Sequence, residues 1–214
     1  MNKYFRYTMM TGILAGFVFF YWNIFSQGLF TSARFLPLEL CNLMSMVMFI
    51  AFATNRKEYL SMIMYPLILG PIAAFCSPFG LFQMGGVFRV YFFYYHIMLM
   101  VGGLYSLYNS GFKTSWKQVV YAVIFMFGCS LLAAYVNTVT GGNYMFLSKF
   151  IFTNFWKNYA LLFSMTWVGL LTFHGVVHLV YSRKQRRVWV EKQREVKVVF
   201  HRGEFSEKKL RKHS

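Results

Sequence analysis

The sequence predicts an all-α protein, a polytopic membrane helix bundle of six transmembrane helices with both termini cytoplasmic. Three observations carry that prediction. Hydrophobic residues make up 57% of the 214 residues and charged residues only 13%, a balance far from that of ordinary water-soluble domains. Several apolar runs approach the ~20 residues that carry a helix across a ~30 Å hydrocarbon core. Lys and Arg are also divided unequally between alternate connections, which sets orientation.

The first span, 8–25, follows Lys3 and Arg6. No small-residue cleavage site ends it, so it is expected to remain as a span rather than be removed as a leader. The second, 36–54, opens on Leu36-Pro37, and proline is tolerated in a first helical turn. The third, 59–78, contains Pro66 and Pro71, where a kink or break is expected because proline lacks a backbone donor and crowds the preceding turn. The fourth, fifth and sixth spans are 88–108, 117–137 and 157–181. Connections are short except for 138–156. Residues 1–182 form the bundle and 183–214 a basic cytoplasmic tail, in which Val196–Phe200 reads as a short strand or a helix end.

Six flanking cations lie on one side (Lys3, Arg6, Arg56, Lys57, Lys113 and Lys117) and four on the other (Arg34, Arg89, Lys149 and Lys157). The tail adds twelve more to the first side, which places both termini in the cytoplasm by the positive-inside rule. Each well-placed cation of the tail is attracted to anionic inner-leaflet lipid by about 1 kcal/mol. The alternatives are a protein partner, or a stop-transfer signal continued as a solvated helix. A nucleic-acid partner is not expected, because basic charge without a recognition module is a weak signal.

The acid inventory excludes whole classes of chemistry. The chain has no Asp, and its six acidic residues are Glu39, Glu58, Glu191, Glu195, Glu204 and Glu207. That removes paired-carboxylate hydrolysis, Asp-held metals, Ser-His-Asp triads and acyltransferases built on a His-x4-Asp motif. Cys41, Cys76 and Cys129 are odd in number and irregularly spaced, which fits neither a disulfide framework nor a zinc site. His174 and His178 share a helix face without a third ligand and read as interfacial packing. No metal and no cofactor are expected.

Glu39 is the one acidic residue inside an apolar run, and it stands beside Cys41 and Asn42. Polar groups are costly in hydrocarbon and normally face a bundle interior or a wet cavity. Leu38, Cys41, Asn42 and Ser45 share a helical face, as do Arg89 and His96. With cytoplasmic termini both faces lie in the outer half of the membrane. Near them on the outer side fall Cys76, Ser77, Asn137 and the glycine-rich turn Gly141-Gly142-Asn143-Tyr144. Arg34, Arg89 and Lys149 sit at headgroup level, to pair with lipid phosphate or as plain anchors. Thiol chemistry needs a thiolate and a proton acceptor, so Cys41 and His96 are the candidate nucleophile and base. Asn42 is placed to orient the histidine or donate to an oxyanion, and Glu39 to neutralise Arg89 or another cation. Against catalysis stands the ordinary use of membrane Cys and buried His as packing and hydrogen-bonding residues.

LPLELCN (36–42), FRVYFFYYHIML (88–99) and GGNYMFL (141–147), in this order, resemble the YwaF-like family of bacterial integral membrane proteins. That family is similar to a vertebrate transmembrane acyltransferase that places polyunsaturated acyl chains on ether phospholipids. The resemblance spans about residues 5–181. It implies a bacterial inner-membrane protein acting on lipid, with Cys41 as catalytic nucleophile beside His96. It implies substrate-binding roles for Asn42, Arg89, Asn143 and Tyr144, to which Glu39 is added as their neighbour. The chain departs from the family pattern in lacking one N-terminal span, in its basic tail, and in carrying Glu39 where a neutral or imidazole side chain is expected. The second functional expectation is non-catalytic: a lipid- or small-molecule-binding subunit or permease component of a membrane complex.

Overall fold

The computed structural model describes residues 1–76, 85–110, 114–148 and 154–210, with side chains described as far as residue 188. Six helices follow in order: α1 (Lys3–Ser26), α2 (Leu40–Ala53), α3 (Lys57–Cys76), α4 (Gly86–Asn109), α5 (Trp116–Thr140) and α6 (Phe155–Leu210), with a 3-10 turn at Tyr144–Phe146 between the last two. The described residues form an all-α bundle. Five of the helices are long and apolar enough to cross a membrane, and α2 is the shorter sixth.

Local chemistry sets several boundaries. Asn2 caps α1, its Oδ1 accepting from the Tyr4 and Phe5 N–H groups, which would otherwise lack partners at a helix start. Ser115 and Gln118 form a reciprocal capping box at the start of α5. Gly141 ends that helix with φ of 68°, a left-handed geometry that costs glycine little.

Three expectations are corrected. The second span was expected from residue 36, with Pro37 in its first turn, but α2 begins at Leu40 with Glu39 as N-cap. The Leu36 N–H donates to the Tyr144 hydroxyl and the Leu38 N–H to the Leu36 carbonyl, so this stretch spends its donors outside a helix. At 14 residues, α2 is about 21 Å long, short of a ~30 Å core. The third span was expected to kink or break, and the break is excluded: α3 runs as one helix through Pro66 and Pro71. Both prolines are buried among neighbouring helices, a setting in which membrane helices tolerate lost backbone bonds. The tail, where Val196–Phe200 was read as a strand or a helix end, continues α6 without interruption to Leu210.

α3 is the hub, packing on α2, α4, α5 and α6. Its closest neighbour is α4, because Gly103 presents no side chain to Leu67 and Ile68. One apolar cluster joins α1–α4 around Met48, Phe52, Ile63 and Tyr95, and a second joins α3–α6 around Tyr65, Ile68, Ala122 and Leu170. A third lies under the 3-10 turn, built on Ala133, Tyr144 and Leu147. α6 is the least enclosed helix, 17% buried over its apolar window against 44% for α3. The apolar part of α6 is therefore less enclosed than that of α3, and a space lies between the two helices.

Candidate functional site

That space is a cavity of about 510 Å³, within the usual range for small-molecule sites. Its walls come from the start of α2, from α3 and α6, and from one turn of α5. Glu39, Cys41, His96 and Ser130 supply polar groups to a wall that is otherwise mainly apolar. Met145, Phe146 and Leu147 close the Glu39 end.

Cys41 is in the first turn of α2, two residues after the N-cap. This position puts its sulfur at the start of the helix, beside the Glu39 N-cap. It is half-buried and packs against the α1–α4 cluster. His96 is 8% exposed and packs against the rings of Phe75 and Phe92. Its Nδ1 is 2.8 Å from the Phe92 carbonyl. A carbonyl only accepts, so Nδ1 carries the proton and Nε2 holds the free lone pair. Cys41 and His96 thus face one cavity, with His96 in the tautomer a base requires. No hydrogen bond joins the two directly among the described residues.

The remaining candidates occupy other places. Asn42 turns away from the cavity, its Oδ1 lying 3.5 Å from the Tyr91 hydroxyl, at the long end of hydrogen-bond range. Arg89 is exposed near the start of α4, and Glu39 does not pair with it. Instead Glu39 Oε2 accepts the Met145 N–H at 3.1 Å, tying the start of α2 to the 3-10 turn. Asn143 Oδ1 accepts the Ser148 N–H at 2.9 Å. Tyr144 is 1% exposed, and its hydroxyl donates to the Ser32 carbonyl at 2.6 Å while accepting the Leu36 N–H at 2.9 Å. These positions make Tyr144 a clasp between two connections on the same end of the bundle. Lys149 and Ser77 fall outside the described residues.

Three participants had weak sequence signals. Asn137, 6% exposed, holds the Tyr144 backbone at both ends, accepting its N–H at 2.7 Å and donating to its carbonyl at 3.0 Å. Tyr91 and Tyr95 stack at 4.9 Å behind Cys41, and the Tyr95 hydroxyl meets that of Ser45. In the sequence Asn137 is one polar residue near a helix end, and the two tyrosines are among many aromatics suited to lipid-facing or inter-helix packing. Their four-residue spacing within FRVYFFYYHIML was the available clue to a shared face.

His174 bonds through Nδ1 to the Tyr65 hydroxyl at 2.7 Å and stacks near His178 at 6.3 Å. Among the described residues no group of three or more His, Cys, Asp or Glu is assembled.

The TMEM164 family matches residues 1–177. No curated protein and no solved structure matches the chain.

Proposed function

The chain belongs to the TMEM164 family of membrane proteins, and from that premise we propose that it handles a lipid or acylated substrate at the outer leaflet of a bacterial inner membrane, by thiol-dependent acyl transfer. The observation that carries this reading is the presence of Cys41 and His96 on one mainly apolar cavity, with the His96 proton held on Nδ1 by the Phe92 carbonyl. The resemblance of LPLELCN and FRVYFFYYHIML to the YwaF-like proteins and their acyltransferase relatives supports the same two residues. The orientation, with both termini in the cytoplasm, rests on the distribution of Lys and Arg.

In the proposed reaction, His96 Nε2 takes the Cys41 thiol proton, directly or through one bridging hydroxyl. The thiolate attacks the ester carbonyl of an acyl donor. The tetrahedral intermediate expels the donor's alkoxide, which recovers the proton from His96, leaving a thioester on Cys41. An acceptor lipid hydroxyl then gives its proton to His96 and attacks the thioester, returning the sulfur as leaving group. Glu39 acts at a distance by holding Met145 over the cavity rather than by serving the sulfur. Arg89, exposed at the same end of the bundle, is free to meet lipid phosphate, and the basic tail to meet anionic lipid or a protein partner.

A second reading has its own observation. Cys41 packs with apolar neighbours of the α1–α4 cluster, as a cysteine used only as a small hydrophobe does. On that reading the chain is a non-catalytic lipid- or small-molecule-binding subunit of a membrane complex. A lipidomic comparison of cells carrying wild type, Cys41→Ala and His96→Ala separates the two. Loss of product in both variants, with insertion intact and an acyl adduct trapped on wild-type Cys41, supports transfer. Full product with Cys41→Ala removes the thioester mechanism.

A further inference from the structure

The cavity has a direction. Its lining runs along α6 from Tyr159 to Leu170 and along α3 from Ala74 to Pro66, about 16 Å and about 12 Å of helix. It therefore extends from the Glu39 end to near the middle of a ~30 Å hydrocarbon core. Its polar groups are concentrated at one end, with Glu39, Cys41 and His96. At that same end Ser130 donates to the Phe127 carbonyl and lies 3.3 Å from the Tyr159 hydroxyl, so this hydroxyl is already satisfied, and the deeper lining is apolar apart from Thr166.

The deep end is closed. Leu170, 1% exposed, belongs to the α3–α6 cluster with Met64 and Tyr65. Just beyond it the Tyr65–His174 hydrogen bond fastens α3 to α6. The side is open, because Ile72 and Met165 line the cavity yet are 43% and 60% exposed on the membrane-facing surface. A narrow apolar slot with a polar end, a closed floor and a lateral opening fits a single hydrocarbon chain that slides in from the bilayer. It does not fit a whole two-chain lipid or a polar solute.

The floor is set by Gly169 and Leu170. Gly169 lies in the lining, and a Cβ there would meet only Leu69 Cδ1, at 3.9 Å. That is ordinary contact, so a side chain at 169 is accommodated without moving either backbone and takes its volume from the cavity. We infer that this slot binds one acyl chain with its carboxyl end at Cys41 and His96, and that Gly169 and Leu170 set the longest chain it accepts. The inference rests on the lipid-handling reading but not on the transfer step.

Purified full-length protein in detergent, incubated singly with saturated fatty acids from lauric to behenic acid, reports the limit by native mass spectrometry as the longest acid retained. Gly169→Leu lowers that limit by about four carbons, one for each side-chain carbon added to a close-packed space. Leu170→Ala raises it. Gly128→Leu, where a Cβ meets nothing within 4 Å and which lies outside the cavity, leaves it unchanged. If Gly169→Leu does not fold, Gly169→Ala and Leu170→Ala still move the limit in opposite directions. An unchanged limit in the folded floor variants overturns the assignment of Gly169 and Leu170 while leaving lipid binding in place. Failure of the wild type to retain any of the acids overturns the chain-binding slot together with the lipid reading beneath it.

Discussion

Replacing Tyr144 by Phe tests the clasp over the cavity with a change of one atom. The ring is buried and remains; only the hydroxyl, which donates to the Ser32 carbonyl and accepts from the Leu36 N–H, is lost. A neutral hydrogen bond is worth about 1 kcal/mol net, so the pair contributes about 2 kcal/mol. Ser32 is exposed and Leu36 half-buried, so the freed carbonyl and N–H regain polar partners and no full burial penalty is added. For a chain of this size about 2 kcal/mol corresponds to a fall in Tm of about 4–8 °C. Scanning fluorimetry in detergent reads that shift directly, with Asn137→Ala and the double variant measured beside it. Asn137 holds the backbone of the same residue, so the double variant should lose less than the two single losses together. A Tyr144→Phe protein whose Tm stays within about 1 °C of wild type would show that the hydroxyl fastens nothing.

Gly103→Ala should cost about 1–3 kcal/mol by overpacking, since its Cβ would lie 2.7 Å from Ile68 Cγ1 and 3.2 Å from the Leu67 backbone. Gly128→Ala, in open space, should be neutral or gain about 0.5–1 kcal/mol of helix stability, and thermal unfolding that ranks the two the other way refutes the α3–α4 seam. Glu39→Gln keeps an acceptor for the Met145 N–H and should leave chymotryptic cleavage near Phe146 at its wild-type rate, whereas Glu39→Ala should speed it; equal rates in both variants would disprove the tie. Tyr65→Phe should lower stability by about 1–3 kcal/mol, because it leaves the buried His174 Nδ1 without its partner, and an unchanged unfolding midpoint would remove the α3–α6 staple.

Much of the bundle was legible in the sequence because hydropathy is a local property. Each long apolar run is sufficient by itself to call for a helix in lipid, where backbone groups have no other partners. α2 was read less well, since Leu36–Glu39 resembles a helix start but its Leu36 N–H goes to Tyr144, remote in sequence, and its Leu38 N–H to a tight turn. Pro66 and Pro71 were read as a kink or a break, and burial against adjacent helices lets the helix continue through both.

At the candidate site, residue type and hydropathy already marked what is out of place in hydrocarbon: Glu39, Cys41, Asn42 and His96. The order of the spans assigned them to the same end of the bundle. What each one meets emerged with the packing of the helices. Cys41 and His96 share a cavity, Asn42 turns toward Tyr91, and Glu39 takes an amide of the 3-10 turn instead of a cation. Helical periodicity fixes which residues share a face but not which face another helix covers. That second choice is made by packing, here by the close approach at Gly103, the shortness of α2 and the turn that Asn137 and Tyr144 hold against the Glu39 end.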